Sequence, residues 1–208
     1  MFSSRSKVLA SIFTVGALAL ASCSSDSSDS STSTDAAGGD SYRVGINQLV
    51  QHPALDAATT GFKEAFEEAG VDVTFDEQNA NGEQGTALTI SQQFASDNLD
   101  LVLAVATPAA QATAQNITDI PVLFTAVTDA VSAELVDSNE APGGNVTGTS
   151  DIAPIEQQLE LLQQLVPDAK SIGIVYASGE VNAQVQVDEV TKAAEPLGCP
   201  LILRLSLP

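Results

Sequence analysis

The chain from Tyr42 onward alternates short β-rich runs with segments of helical periodicity, and this alternation limits the fold more than any other feature. The β-rich runs occupy residues 43–49, 71–77, 100–106, 121–126 and 145–149. Between the first two runs, apolar side chains recur at three and four positions, as Leu55, Ala58, Phe62 and Phe66 do. Strict alternation favours right-handed parallel βαβ units. The sequence therefore predicts an α/β fold with a parallel sheet flanked by helices.

Single residues mark the ends and the environment of these elements. Gly70 is placed to stop the first helix, and Pro108 lies where the first turn of the third helix is expected. The run 101–105 is apolar on both faces, as a central parallel strand covered by helices should be. These features support the assignment of the sheet.

The alternating pattern begins again after Asp151. A helix is predicted over 155–165, a strand over 171–177, a helix over 181–197 and a last strand over 201–205. The turn-rich segment 148–154 is interpreted as a crossing between two lobes, so 42–150 forms a first α/β lobe and 151–208 a partial second one. The second lobe would end on a strand with an open edge. We therefore expect the chain to be truncated and the second lobe to be incomplete.

The first forty residues are typical of an export signal and a tether. Arg5 and Lys7 precede an apolar run over 8–20, which is shorter than the roughly 20 residues of a spanning helix. Residues 20–23, Leu-Ala-Ser-Cys, resemble the bacterial lipobox, in which the cysteine is acylated. We predict a signal peptide over 1–22, a lipidated Cys23 carrying palmitate, and a flexible Ser/Asp-rich tether over 23–41. An ordinary signal peptide with an incidental free cysteine is the alternative.

Charge and composition exclude several classes of function. The 27 acidic residues outnumber 7 basic ones, a formal charge of −20, which argues against binding to nucleic acid. His52 is the only histidine, and one histidine does not make a metal site. The sequence has no Gly-x-Ser-x-Gly elbow, no phosphate loop and no dinucleotide fingerprint. We predict a protein without cofactor or metal that is not an enzyme.

Polar side chains follow the predicted strands. In open parallel sheets, ligands bind beyond the carboxyl ends of the strands, near helix N-termini. The candidate ligand-binding residues by this rule are Asn47, Gln48, Gln51, Asn79, Thr107, Thr125, Thr128, Asp129, Tyr176 and Asn182. Mostly neutral hydrogen-bonding groups suit a small zwitterion whose amine is taken by an acid such as Asp129 or Glu180. Asn, Asp and Thr also favour turns and helix caps, so a local structural role is the alternative at each position.

Four runs carry a resemblance to a known family. Residues 44–56, 104–111, 124–129 and 142–148 resemble the solute-binding lipoproteins of ABC importers in the tryptophan/tyrosine-type group. The resemblance extends over about residues 43–198. It implies a two-lobed periplasmic-binding-protein fold of type I, which closes on its ligand and delivers it to a membrane permease driven by an ATPase. Family members continue well beyond the position of Pro208, and the tail 199–208 does not resemble them.

The resulting expectation is a lipid-anchored solute-binding protein on the extracytoplasmic face of a bacterial cell membrane. It would capture a small molecule, expected to be an amino acid and in some family members an aromatic one, in the cleft between the lobes. A ligand-binding sensor module of the same fold and a non-functional truncated fragment remain open as alternatives.

Overall fold

The computed structural model describes residues 41–198 and 201–206. Its strands are β1 (Tyr42–Gln48), β2 (Val73–Asn79), β3 (Leu101–Val105), β4 (Val122–Val127), β5 (Val146–Ser150), β6 (Ile172–Ala177) and β7 (Leu201–Ser206). Its α-helices are α1 (Pro53–Ala69), α2 (Gln84–Ser96), α3 (Thr107–Asn116), α4 (Ile155–Leu165) and α5 (Val181–Ala194).

The first five strands form one parallel sheet in the order β2-β1-β3-β4-β5. The prediction of a parallel α/β fold is therefore confirmed. The chain moves from β1 outward to β2 and then crosses back to β3, so the winding direction reverses between β1 and β3. Gln48 at the end of β1 pairs in register with Asn79 of β2 and Val105 of β3. This reversal is where open α/β sheets bind ligands.

Helices cover the two faces of the sheet unequally. Phe94 of α2 and Ile117 after α3 are fully buried in the core that also contains Val102 and Phe124 of the sheet. On the opposite face, α1 contributes the partly buried Leu55 and Phe62 to a smaller core. That core contains the buried Ile46, Leu103 and Val105. Successive side chains of β1 and β3 point to opposite faces of the sheet, so these strands contribute to the cores on both faces, as in parallel strands buried on two sides.

The ends of α1 explain the position of β2. Gly70 adopts a left-handed conformation with φ of 67°, as the sequence predicted for a helix stop. The N–H of Val71 still donates to the carbonyl of Phe66, so this residue belongs to the helix cap. The strand prediction over 71–77 was therefore two residues early, because β2 begins only at Val73.

The second sheet consists of β6 and β7, paired in parallel, within the described residues. Helices α4 and α5 pack together through the buried Ile155, Leu159, Val190 and Ala194. The helix predicted over 181–197 stops at Ala194, and residues 195–197 form a single 3₁₀ turn. Pro196 lies in that turn and lacks the N–H that a continuing α-helix would need.

Candidate functional site

A polar cavity of about 300 Å³ lies at the carboxyl ends of β1 and β2. Its lining consists almost entirely of amides and carboxylates: Gln48, Gln51, Asp56, Glu77, Gln78, Asn79 and Asn81. Three of the residues expected from the sequence, Gln48, Gln51 and Asn79, share this cavity. Asp56, Glu77, Gln78 and Asn81 were not among the predicted site residues. Gln78 lies within β2, one residue before its end.

Gln48 is held rigidly at the floor of this cavity. Its side chain is 3% exposed, and its Nε2 donates to Asp56 Oδ1 at 2.7 Å and to the carbonyl of Val50 at 3.0 Å. Its Oε1 accepts a hydrogen bond from Thr59 Oγ1 at 2.7 Å. All three partners are on or beside α1, so this helix orients the amide. A buried amide with both ends bonded has one defined orientation.

Charged groups stand at the rim of the same cavity. Lys63 Nζ and Glu77 Oε2 form a salt bridge of 2.6 Å, and both side chains are partly exposed. Asn79 Oδ1 accepts from the N–H of Asn81 at 2.8 Å, an Asx turn that shapes the loop after β2. His52 caps α1, because its Nδ1 accepts a hydrogen bond from the N–H of Ala54.

Asn47 lies elsewhere, which differs from the expectation that it contacts a ligand. The residue is 0% exposed and points to the opposite face of the sheet from Gln48. Its Nδ2 donates to the carbonyl of Ala87 and to Ser91 Oγ, each at 3.0 Å, and to Thr113 Oγ1 at 3.3 Å. The reason is the side-chain alternation of a strand, which sends neighbouring residues to opposite faces. Asn47 is therefore a core residue that joins β1 to α2 and α3.

The chain makes an unusual turn where β3 meets α3. Ala106, the N-cap residue of α3, has φ of 81° and ψ of 152°, a backbone region that residues with a Cβ rarely occupy. Thr107, the first helical residue, is 2% exposed. The ligand contact predicted for it would therefore have to be made by its backbone rather than by its side chain. The first turn of a helix presents N–H groups without carbonyl partners inside the helix. This turn therefore offers anion-binding geometry at the carboxyl end of β3.

Residues near the end of β4 and after it are tied to β5 and to their own turn. Thr149 Oγ1 donates to Thr125 Oγ1 at 3.1 Å, and Ser150 Oγ donates to the carbonyl of Thr128 at 2.7 Å. None of Thr125, Thr128 and Asp129 lines the cavity beside Gln48.

Asp129 acts as a cap within the turn that follows. Its Oδ1 accepts from the N–H groups of Val131 and Ser132, and its Oδ2 accepts from Ser132 Oγ at 2.8 Å. Partial burial raises the pKa of Asp129, but these three hydrogen bonds outweigh it and leave the pKa below its ordinary value. Both carboxylate oxygens are therefore committed to local bonds.

The turn after β6 contains the candidates of the second sheet. Tyr176 is half-buried near the end of β6, and the N–H of Glu180 closes the turn on the carbonyl of Ala177. Asn182 Nδ2 donates to Glu180 Oε2 at 3.1 Å. Val181, between them, packs against the core of the first sheet, so this turn lies where the two sheets meet.

The described residues lack two further features. Residues 41–198 and 201–206 contain no group of three His, Cys, Asp or Glu side chains that could hold a metal ion. No helix in the same part of the chain is long and apolar enough to cross a membrane. Cys23, the predicted lipidation site, lies outside the described residues.

The family of this chain is established by its similarity to known proteins. Residues 43–203 match the family described as ABC transporter substrate binding protein. The chain belongs to this family. It is 48% identical over 151 residues to a tyrosine-binding protein of Clostridioides difficile, across 71% of this chain and 44% of the relative. Its relatives are substrate-binding proteins, not enzymes, in agreement with the prediction from the sequence.

Solved structures give the fold. An ABC domain from Streptococcus pneumonia in complex with L-Trp superposes with a TM-score of 0.77 at 39% identity, over 80% of this chain and 57% of that one. The ligand-free, open structure of a Clostridium difficile substrate-binding protein gives 0.63 at 44% identity, over 80% and 58%. The fold is the periplasmic-binding-protein type I fold, as predicted. The chain spans about half the length of these relatives, so the second lobe is incomplete.

Proposed function

We propose that this protein is the solute-binding component of an ABC importer, and that it captures an aromatic amino acid in a crevice between its two α/β lobes. The observation that carries the proposal is the reversal of winding between β1 and β3, with polar side chains at that edge of the sheet. The relatives named for tyrosine binding and solved with L-Trp support the class of ligand.

The side chains suit a zwitterion with a flat apolar group. The first turn of α3 would receive the ligand carboxylate, because its free N–H groups and helix dipole favour an anion. Gln51 would hydrogen-bond the polar edge of the ligand, and Tyr176 would cover its ring. The protein carries out no reaction on its ligand. Its mechanism consists of binding the ligand as the lobes close and then releasing it.

The importer requires partners and an anchor. We infer that Cys23 is acylated and holds the protein on the extracytoplasmic face of a bacterial membrane, beside the permease and the ATPase. Residues 20–23 support this inference. Metabolic labelling with radioactive palmitate should mark the protein, and Cys23→Ser should abolish the label. Equal labelling of both would contradict lipidation at this residue.

A thermal-shift titration tests the proposed ligand. L-tyrosine, L-tryptophan and L-phenylalanine are added to the full 208-residue chain, with L-aspartate as the control. A ligand at about 100 times its Kd adds about 2.7 kcal/mol to the free energy of unfolding and so raises the Tm. If none of the three aromatic amino acids raises the Tm more than L-aspartate does, the proposed function is wrong.

The site is tested by a matched pair of variants. Gln51→Ala removes an exposed amide that lines the cavity, and Gln158→Ala removes an exposed amide on α4. Loss of one neutral hydrogen bond should weaken binding by about 2- to 10-fold for Gln51→Ala. The affinity of Gln158→Ala should match the wild type, and similar losses in both variants would remove this cavity from the site.

A further inference from the structure

A second cavity lies between α4 and α5 and shares no lining residue with the cavity beside Gln48. Its volume is about 600 Å³, against about 300 Å³ for the cavity beside Gln48. Its lining runs from Ala153 and the first half of α4 to the end of α5 and the 3₁₀ turn that follows. This surface is the α4–α5 groove, and the proposed function does not use it.

The buried part of the groove lining is apolar. Ile155 and Leu159 of α4 are 8% and 6% exposed and belong to the core that the two helices share. Ala193 and Leu197 line the groove from α5 and the turn after it, and both remain partly exposed. Covering this apolar surface would be favourable, because it removes the surface from water. An occupant therefore has to bring apolar side chains.

The polar part of the lining carries charge that the chain itself does not neutralise. Glu156 and Glu160 on α4 line the groove together with Glu189 and Lys192 on α5. None of these four side chains forms a hydrogen bond or a salt bridge with another described residue. Three carboxylates and one ammonium give the groove a net charge of −2. Its acids are therefore available to a cationic partner.

The sign of this charge selects among the possible occupants. A second copy of the chain has a formal charge of −20 and would bring more acid to an acidic surface, which opposes association. An anionic lipid surface is disfavoured for the same reason. A basic amphipathic helix meets both requirements, because its apolar face fills a groove while lysine or arginine at its flanks pairs with carboxylates.

We propose that the α4–α5 groove is a docking site for a basic amphipathic helix of a partner protein. The apolar face of that helix would cover Ala193 and Leu197, and its basic side chains would pair with Glu160 and Glu189. The inference goes beyond the proposed function, because it neither requires nor supplies the amino-acid ligand.

The experiment uses three labelled helical peptides of about 18 residues, long enough to form a helix in isolation. The basic peptide has leucine at spacings of three and four, arginine on both flanks and alanine elsewhere. In the second peptide glutamate replaces every arginine, and in the third serine replaces every leucine. Fluorescence anisotropy measures the Kd of each peptide for the full 208-residue chain.

Two variants of the groove are compared with a matched control. Glu160→Lys reverses one acid of the groove, and Glu160→Lys with Glu189→Lys reverses two. Glu67→Lys makes the same change in net charge as the single variant at an exposed acid on α1, outside the groove. Circular dichroism verifies that every variant is folded.

The basic peptide should bind the wild type, and the other two peptides should bind at least about tenfold more weakly because one lacks the charge and the other the apolar face. Glu160→Lys should weaken binding of the basic peptide by about 3- to 10-fold, since an exposed ion pair is lost and a repulsion is added. The double variant should weaken it further. Glu67→Lys should leave the Kd within about twofold.

Three results would overturn the proposal. The first is a basic peptide that fails to bind the wild type, and the second is equal binding of the basic and the serine-substituted peptides, which would indicate attraction by net charge alone. The third is equal weakening by Glu67→Lys and Glu160→Lys, which would place the interaction outside the groove. All three would leave the proposed function intact.

Discussion

Asn47 on β1 and Ser91 on α2 are 44 positions apart in the sequence, and Asn47 Nδ2 donates to Ser91 Oγ over 3.0 Å in a fully buried environment. The same nitrogen lies 3.3 Å from Thr113 Oγ1 on α3. One strand and two helices are therefore joined by a single amide. Ser91 and Thr113 also donate to the carbonyls of Ala87 and Ala109 in their own helices, each at 2.8 Å.

Asn47→Ala should lower the free energy of unfolding by about 1–3 kcal/mol, because buried hydrogen bonds are lost and a cavity remains. The hydroxyls of Ser91 and Thr113 keep their partners within the helices, which limits the loss. Urea denaturation measures the difference, with Asn139→Ala, an exposed amide, as the control. Equal stability of the two variants would contradict the structural role of Asn47.

Thr59→Val tests the support of Gln48 by α1. Thr59 is 2% exposed, and its hydroxyl is the donor to Gln48 Oε1. The isosteric change leaves a buried oxygen without a partner, at a cost of about 1–3 kcal/mol in unfolding free energy. The neighbouring Thr60→Val is the matched control, since Thr60 is exposed and bonds only to the carbonyl of Asp56. In thermal denaturation, Thr59→Val should have a lower Tm than Thr60→Val. Equal Tm values for the two variants would refute the prediction.

Gly148 and Gly61 should respond to alanine in opposite directions. Gly148 on β5 lies against the carbonyl oxygen of Phe124, and an added Cβ would also lie 2.7 Å from the ring of that residue. Gly148→Ala should therefore destabilise the fold by about 1–3 kcal/mol through overpacking. Gly144→Ala, in the preceding loop, introduces a Cβ that meets no atom within 4 Å and serves as the control.

Gly61 lies within α1, and a Cβ there meets no atom within 4 Å. Gly61→Ala should raise the free energy of unfolding by about 0.5–1 kcal/mol, because alanine loses less backbone entropy in a helix. Chemical denaturation measures the gain. A lower stability than the wild type would show that α1 is packed more closely at this point than the structure indicates.

Asp129 makes stability depend on pH in the acid range. Its pKa is lower in the folded protein than in the unfolded chain, so its carboxylate stabilises the fold above the unfolded value of about 3.9. That contribution is lost as the pH falls through the folded-state pKa. The stability difference between the wild type and Asp129→Asn should therefore narrow below about pH 4. A difference that is constant from neutral to acid pH would contradict this account.

Predictions from the sequence succeeded where a local pattern had one structural solution. Gly70 stops α1 because glycine enters the left-handed region without steric cost. The prediction for Asn47 rested on its place at a strand end, which is also where Gln48 lies. Which of two neighbours faces the cavity depends on the register of the strand and on the helices packed against it. Neither the register nor the packing of the helices can be read directly from the sequence.

The alternation of apolar runs and helical stripes by itself determined a parallel α/β fold, because only helices packed on both faces can bury such strands. It also placed polar residues at the strand ends. Only the tertiary structure decided that Gln48, Gln51 and Asn79 share one cavity, that Asp129 is committed to its own turn, and that Glu180 stands where the two sheets meet. These relations join residues distant in sequence, and packing between elements sets them.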